Sequence, residues 1–222
     1  MTGLVVVSGM RREAKCFGSD CEIVLSGGVA NHALAADLEA AIGRGGRAVL
    51  SAGLCGGLDP ELAPGSVILA TTIMAADTRF GCDGRWRAAV RERLAVVEGP
   101  LTGSDLIVAL PTQKALLRTA TGALAVDLES HIAAQLAARH GLPFCALRVI
   151  ADGAQHRLPP AVHVAMTPEG KVSLPRVLMA LTREPEQLGE LIATGWRAQT
   201  AFSSLFRSLR LLGIGFACPY VG

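Results

Sequence analysis

Short, β-branched apolar runs alternate with helical stretches along this chain, and that alternation admits few folds. Leu4 to Val7, Ala48 to Ala52, Val67 to Ile73, Leu124 to Asp127 and Phe144 to Ile150 each read as a buried strand. Between them, Asn31 to Ile42 is alanine-rich, with Leu34, Leu38 and Ile42 at helical spacing. Ser130 to His140 reads as another helix, stopped by Gly141. Arg79 to Arg93 is arginine-rich and reads as a surface loop and a solvated helix. Leu106 to Leu110 reads as a short strand or loop, and Leu158 to Leu174 is mostly loop because of Pro159, Pro160 and Pro168. Helices are expected over most of the stretch from Arg176 to about Leu212. Such an order predicts an α/β fold, a central sheet with helices on both faces. No internal repeat or linker interrupts residues 1–222, so the chain reads as a single domain with a helical C-terminal segment.

Composition removes several function classes. Half of the residues are hydrophobic and 18% are charged, which excludes a disordered chain. A formal charge of +2 and 4% aromatics supply neither the basic surface nor the stacking platform of a nucleic-acid binder. Cys16, Cys21, Cys55, Cys82, Cys145 and Cys218 form no CxxC pair and show no zinc-ligand spacing. They read as reduced, mostly packed thiols, with no metal site. No apolar stretch reaches the ~18–20 residues of a membrane span, and no leader peptide is evident, so a cytoplasmic protein is expected.

Ligands of open α/β sheets bind beyond the carboxyl ends of the strands, and polar residues gather there in this sequence. Glu13 follows the first strand, Glu129 follows Leu124 to Asp127, and Asp152 follows the run Leu147, Val149, Ile150. Each carboxylate also suits the positive end of a helix dipole, which is a purely structural role. Gly53-Leu54-Cys55-Gly56-Gly57 reads as a glycine loop after the second strand, able to bring backbone N–H groups close to a small ligand. It lacks the Lys-Ser/Thr of a P-loop and the spacing of a dinucleotide fingerprint, and a plain tight turn fits it as well.

Four segments, taken in order and spacing, resemble the nucleoside phosphorylase / methylthioadenosine nucleosidase superfamily. They are Ser8-Gly9-Met10-Arg11-Arg12-Glu13, Gly53 to Leu58, Val126-Asp127-Leu128-Glu129-Ser130, and Arg148-Val149-Ile150-Ala151-Asp152, with Thr102-Gly103-Ser104-Asp105 as a looser fifth. The resemblance implies a three-layer phosphorylase/hydrolase-like fold, a central mixed β-sheet flanked by helices. It implies cleavage of the N-glycosidic bond of a purine nucleoside, with release of adenine. Within the superfamily the chain is most similar to the hopanoid-associated branch. Ser51-Ala52-Gly53-Leu54 with Gly56 to Pro60, the Leu158-Pro159-Pro160 loop and the tail Leu211 to Phe216 carry that likeness. The branch implies adenosylhopane, a lipid-linked nucleoside, as substrate, cleaved to ribosylhopane by water or to phosphoribosylhopane by phosphate, in hopanoid biosynthesis.

The resemblance also implies roles. Asp152 would be the general acid at purine N7, in a dry site that raises its pKa. Glu13 would orient and deprotonate an attacking water. Glu129 would accept hydrogen bonds from the ribose hydroxyls and favour the oxocarbenium-like transition state. Leu128 would pack on the sugar, Gly53 and Leu54 would belong to the substrate wall, and backbone groups of Leu106 and Ile107 would face the base. Arg11 and Arg12 are the candidate phosphate ligands. Glu13 would repel a dianion, so hydrolysis is favoured over phosphorolysis, with phosphate the alternative co-substrate. No cofactor and no metal are implied. Leu54 and Ala151 depart from the pattern: serine is usual at both positions, and the second serine steadies the aspartate. The alternatives are a methylthioadenosine/S-adenosylhomocysteine nucleosidase, and a nucleoside-binding protein without turnover.

Family members form oligomers, so a homo-oligomer is expected. Phe202, Leu205, Phe206, Leu209 and Leu212 recur at helical spacing among Arg197, Arg207 and Arg210. This reads first as a last helix packed on the sheet, and second as an interfacial helix touching the inner membrane face.

Overall fold

The computed structural model describes residues 3–17, 21–25, 31–160, 173 and 185–221. Eight strands lie in one sheet: β1 (Leu4–Ser8), β2 (Glu22–Leu25), β3 (Ala48–Gly57), β4 (Val67–Ala75), β5 (Thr78–Gly81), β6 (Val97–Gly103), β7 (Ala125–Asp127) and β8 (Phe144–Asp152). Six α-helices accompany them in the described residues: α1 (Arg11–Ala14), α2 (Asn31–Gly43), α3 (Gly84–Arg91), α4 (Pro111–Thr121), α5 (Ser130–Arg139) and α6 (Leu188–Leu212).

Period-2 alternation divides the strand side chains between two helical layers. Val5, Val7 and Val49 point into one core with Leu34 and Leu38 of α2 and Ala133 and Ala137 of α5. Their neighbours Leu4, Val6 and Leu50 point the other way, onto Trp86 of α3 and Leu205 and Leu209 of α6. Full burial stabilises by about 1.5–3 kcal/mol for each large apolar side chain, so both layers hold the sheet strongly. The three-layer expectation matches this arrangement.

The sheet is mixed, and part of it closes on itself. β1 lies parallel between β2 and β3. β3 continues to an antiparallel pairing with β7 and a parallel one with β8. β8 pairs antiparallel with β4, β4 parallel with β6, and β6 parallel with β7. Strands β3, β8, β4, β6 and β7 therefore form a ring whose rim carries the ends of β3, β7 and β8. The β3–β8 ladder runs Leu54 to Val149 and Cys55 to Ile150, then steps to Gly56 opposite Asp152. That bulge leaves Ala151 as the extra residue in β8.

Several sequence expectations need correction. Gly53 to Gly57 is not a loop: it is the second half of β3, laddered to β8 and β7. Glycine is required there by close approach, since a Cβ on Gly53 would lie 2.8 Å from the Glu13 carboxylate and one on Gly57 3.2 Å from Ile150. The Arg79 to Arg93 stretch holds β5 and α3, and α3 is not simply solvated. It buries Trp86 and Val90, and the Trp86 indole donates to the Phe216 carbonyl at 2.9 Å. Strands β2 and β6 and helix α4 also stand where no element was expected. The Leu158 to Leu174 stretch and the start of the Arg176 to Leu212 stretch lie largely outside the described residues.

Helix α6 packs on the sheet through Ala201, Leu205, Leu209 and Leu212, as the first reading of the tail has it. Leu188, Ile192, Trp196 and Phe206 are exposed on it. Among the described residues no helix is long and apolar enough to cross a membrane.

Candidate active site

A cavity of about 950 Å³ opens at the rim of the strand ring. Its wall includes Glu13 at the start of α1, Leu54 on β3, Leu128 and Glu129 after β7, Ala151 and Asp152 at the end of β8, and Leu106 and Ile107 after β6. Arg11, Arg12 and Lys15 border it, and Leu158, Val108, Ala198 and Phe202 make it largely apolar. Three carboxylates far apart in sequence thus share one cavity, and each is buried: Glu13 is 2% exposed, Glu129 5% and Asp152 7%. Gly53 is the exception among the expected wall residues. It stands behind the cavity lining, against the Glu13 carboxylate.

Among the described residues, Glu13 is held by hydrogen bonds from neutral groups. Its Oε2 accepts from Ser8 Oγ at 2.7 Å and from the backbone N–H groups of Gly9 and Met10, each at 2.9 Å. Its Oε1 accepts from the Leu54 backbone N–H at 2.8 Å. The Met10 contact is the reach-back of an N3 glutamate to the residue that starts a helix. The Leu54 contact spans from α1 to β3, so Leu54 acts here through its backbone while its side chain stays apolar.

Glu129 and Arg148 form the second corner. Arg148 is fully buried, with its guanidinium 2.9 Å from Asp127 Oδ2 and 3.1 Å from Glu129 Oε2. It also donates to Ser51 Oγ at 2.6 Å, which in turn lies 3.0 Å from Ser130 Oγ. Burial works against the Arg148 charge, but Asp127, Glu129 and Glu13 outweigh it and its pKa rises above the ordinary value. Asp127 accepts from the backbone N–H groups of Glu129 and Ser130 at 3.0 and 2.8 Å, which fixes the turn carrying Glu129. A Cβ on Gly9 would meet Glu129 Oε1 at 2.7 Å, so the glycine keeps that carboxylate in place.

Asp152 is the third corner. Burial raises its pKa above the usual carboxylate value, and the Lys114 ammonium opposes that rise. Lys114, on α4, is fully buried and donates to Asp152 Oδ2, to the Gly153 carbonyl at 2.9 Å and to the His156 carbonyl at 3.1 Å. No sequence expectation included Lys114. The signals for its helix were present: Pro111 at the first turn, Gln113 accepting from the Leu110 N–H at 3.1 Å, and Gly122 in the left-handed conformation that ends it.

The remaining expected residues fall as follows. Leu128, Leu106 and Ile107 reach the cavity. Ser104 Oγ already engages both backbone groups of Leu106, accepting from its N–H at 3.2 Å and donating to its carbonyl at 2.6 Å. Arg11 and Arg12 lie at the mouth with exposed side chains. Arg12 bonds Gln199 at 2.6 Å and covers the Phe202 ring at 4.1 Å. Among the described residues no group of three or more His, Cys, Asp and Glu side chains is arranged to hold a metal ion.

The geometry has counterparts among known proteins. The sequence model of the phosphorylase superfamily matches residues 16–183. No protein of curated function matches the chain significantly. Among solved structures, it is similar to the 5′-methylthioadenosine/S-adenosylhomocysteine nucleosidase of Helicobacter pylori, at TM-score 0.65 and 18% identity over 93% of this chain and 97% of that one. It is similar to the futalosine hydrolase of the same organism at TM-score 0.62 and 19% identity, over 93% and 96% of the two chains. The S-adenosylhomocysteine nucleosidase of Streptococcus pyogenes matches at TM-score 0.61 and 18% identity, over 92% and 95%.

Proposed function

The chain belongs to the phosphorylase superfamily, and on that premise we propose that it is an enzyme cleaving the N-glycosidic bond of a purine nucleoside to release adenine. The observation that carries this reading is the convergence of Glu13, Glu129 and Asp152, all buried, on one mostly apolar cavity. Ribosyl transfer passes through an oxocarbenium-like state, so the leaving purine needs a proton and the sugar needs negative charge nearby. Asp152 supplies the proton to N7, since burial favours its protonated form. Glu129, steadied by Arg148, receives the ribose hydroxyls. Leu128 and Leu54 line the sugar side, and the Leu106–Ile107 segment lines the base side.

Glu13 activates water. Oε2 takes three donors while Oε1 takes one from Leu54, which leaves Oε1 an acceptor site for the attacking water. A phosphate dianion in that position would meet the carboxylate. Ser51, behind the cavity, is committed to Arg148 and Ser130. Arg12 is engaged with Gln199 and Phe202. These commitments favour hydrolysis over phosphorolysis.

The nucleoside carries a large apolar 5′ group in this reading, with adenosylhopane the substrate the sequence points to. Leu158, Ala198 and Phe202 give the cavity an apolar flank beyond the carboxylates. The exposed Leu188, Ile192, Trp196 and Phe206 of α6 support contact with a lipid surface. A second reading, cleavage of a small 5′-thio nucleoside, is favoured by the structural likeness to methylthioadenosine nucleosidases. The test is adenine release from adenosylhopane and from methylthioadenosine, with and without phosphate, beside Asp152→Asn. Release without phosphate, absent in the variant and faster for the lipid nucleoside, is expected. Release only with phosphate would replace the water mechanism, and preference for methylthioadenosine would replace the substrate.

A further inference from the structure

Lys114 has no part in the chemistry above, yet it is fully buried. Lysine stems usually carry the ammonium out to water, and an unpaired buried ammonium costs several kcal/mol, by order of magnitude. Here its three hydrogens meet three acceptors: Asp152 Oδ2 and the carbonyls of Gly153 and His156. Two of these belong to the turn that immediately follows Asp152, so one side chain grips both the carboxyl and the backbone behind it. The residue before Asp152 is Ala151, which has no hydroxyl to offer.

We propose that Lys114 is a positioning residue for Asp152. It holds one carboxyl oxygen and the turn behind it, leaves the other oxygen for the purine, and supplies the cation that balances the carboxylate in a dry site. This rests on the reading of Asp152 as the proton donor. The groups facing Asp152 are Lys114 on α4, His156 on the turn after β8, Arg197 on α6 and the Cys55 thiol on β3. His156 is held below the usual imidazole value by burial, then by Arg197 and Lys114, so it is neutral near pH 7. The Cys55 thiol is pushed well above its ordinary value, first by burial and then by Asp127, and is neutral too. Lys114 is therefore the cation in direct contact, with Arg197 acting at longer range.

A general acid works only while protonated, so activity falls as pH rises through its pKa. Removing the Lys114 charge leaves the effect of burial less opposed and lets Asp152 keep its proton to higher pH. Lys114→Met is expected to lower kcat by about 10²-fold with little change in KM, and to move the alkaline limb of kcat/KM up by about 1–3 pH units. Lys114→Arg keeps the charge, recovers part of kcat and leaves the limb in place. If Lys114→Met does not fold, Lys114→Gln, which keeps hydrogen bonds without the charge, carries the same prediction. A role confined to stability would lower the melting temperature and leave the limb where it was. The carboxyl carbon of Asp152, assigned by ¹³C NMR through its loss in Asp152→Asn, gives a readout without turnover. Its titration should move upward in Lys114→Met and not in Lys114→Arg, and an unmoved titration overturns the proposal. No adenine release by the wild-type protein, with the Asp152 titration still moved upward in Lys114→Met, would keep the Lys114–Asp152 pairing and discard the nucleosidase reading.

Discussion

Glu13 and Asp152 are buried to nearly the same degree, 2% and 7% exposed, but the fold holds them by opposite means. Around Glu13 every bonded partner among the described residues is neutral: one serine hydroxyl and the backbone N–H groups of Gly9, Met10 and Leu54. Around Asp152 the partner is a cation, the buried Lys114 ammonium, delivered by an otherwise largely exposed helix. Neutral dipoles fix where a carboxylate sits and which lone pair remains available. A cation fixes position too, but it also enters the balance that decides when the group holds a proton. Two carboxylates in differently built corners can take different roles in one reaction.

The contrast can be broken most severely at Glu13. Glu13→Gln keeps the shape but replaces one acceptor oxygen with a donor amide facing donors. In single-turnover kinetics, adenine release should fall by about 10²–10⁴-fold, while a nucleoside analogue still binds. A loss below tenfold would remove Glu13 from the reaction. The second test uses pH. Since burial places the Asp152 pKa above the usual carboxylate value, kcat/KM should decline as pH rises through that elevated value. In Asp152→Asn the residual rate should show no such limb. A limb that survives the substitution belongs to another group.

Glycines sharpen the comparison with smaller effects. A Cβ at Gly53 would stand 2.8 Å from Glu13 Oε2, whereas one at Gly56 would stand 3.6 Å from Asp152 Oδ2, an ordinary contact. Gly53→Ala should therefore cost about tenfold or more in kcat, since small misplacements of a reacting group are expensive. Gly56→Ala should cost less than about threefold. Equal losses would mean that the Glu13 corner is no more tightly built than the other. The smallest effect concerns the thiol between the two corners. Burial lifts Cys55 and Cys145 well above the ordinary thiol value, and Cys82 to about 12. In the native protein at neutral pH a disulfide-exchange reagent should label half-buried Cys16 first, with Cys55 silent until unfolding. Early labelling of Cys55 would show that water reaches the space between the carboxylates.

The sequence made some of this visible and concealed the rest for physical reasons. Strands β1, β4 and β8 and the first half of β3 are predominantly apolar runs, and α2 and α5 carry alanine and leucine at helical spacing. Those patterns come from burial, and burial is what patterns record. The second half of β3 was hidden because its glycines answer to the Glu13 carboxylate and to Ile150 rather than to a turn. Helix α4 was hidden because its one buried side chain is a lysine and not an apolar stripe, and Lys114 because a lysine in a polar stretch is normally solvated. The carboxylates were legible as strand-end residues. Their meeting in one cavity, and the arginine and lysine behind two of them, depend on contacts between residues far apart in the chain, which no local pattern records.

The bulge between β3 and β8 has a consequence for how such a protein can change. Ala151 is the additional residue that brings Asp152 opposite Gly56. It gives β8 two consecutive residues on the cavity wall, Ala151 and Asp152, where simple alternation would allow one. A single-codon deletion at Ala151 would therefore leave the acid in the gene and opposite Gly56, yet shorten the chain that runs from β8 to the turn held by Lys114.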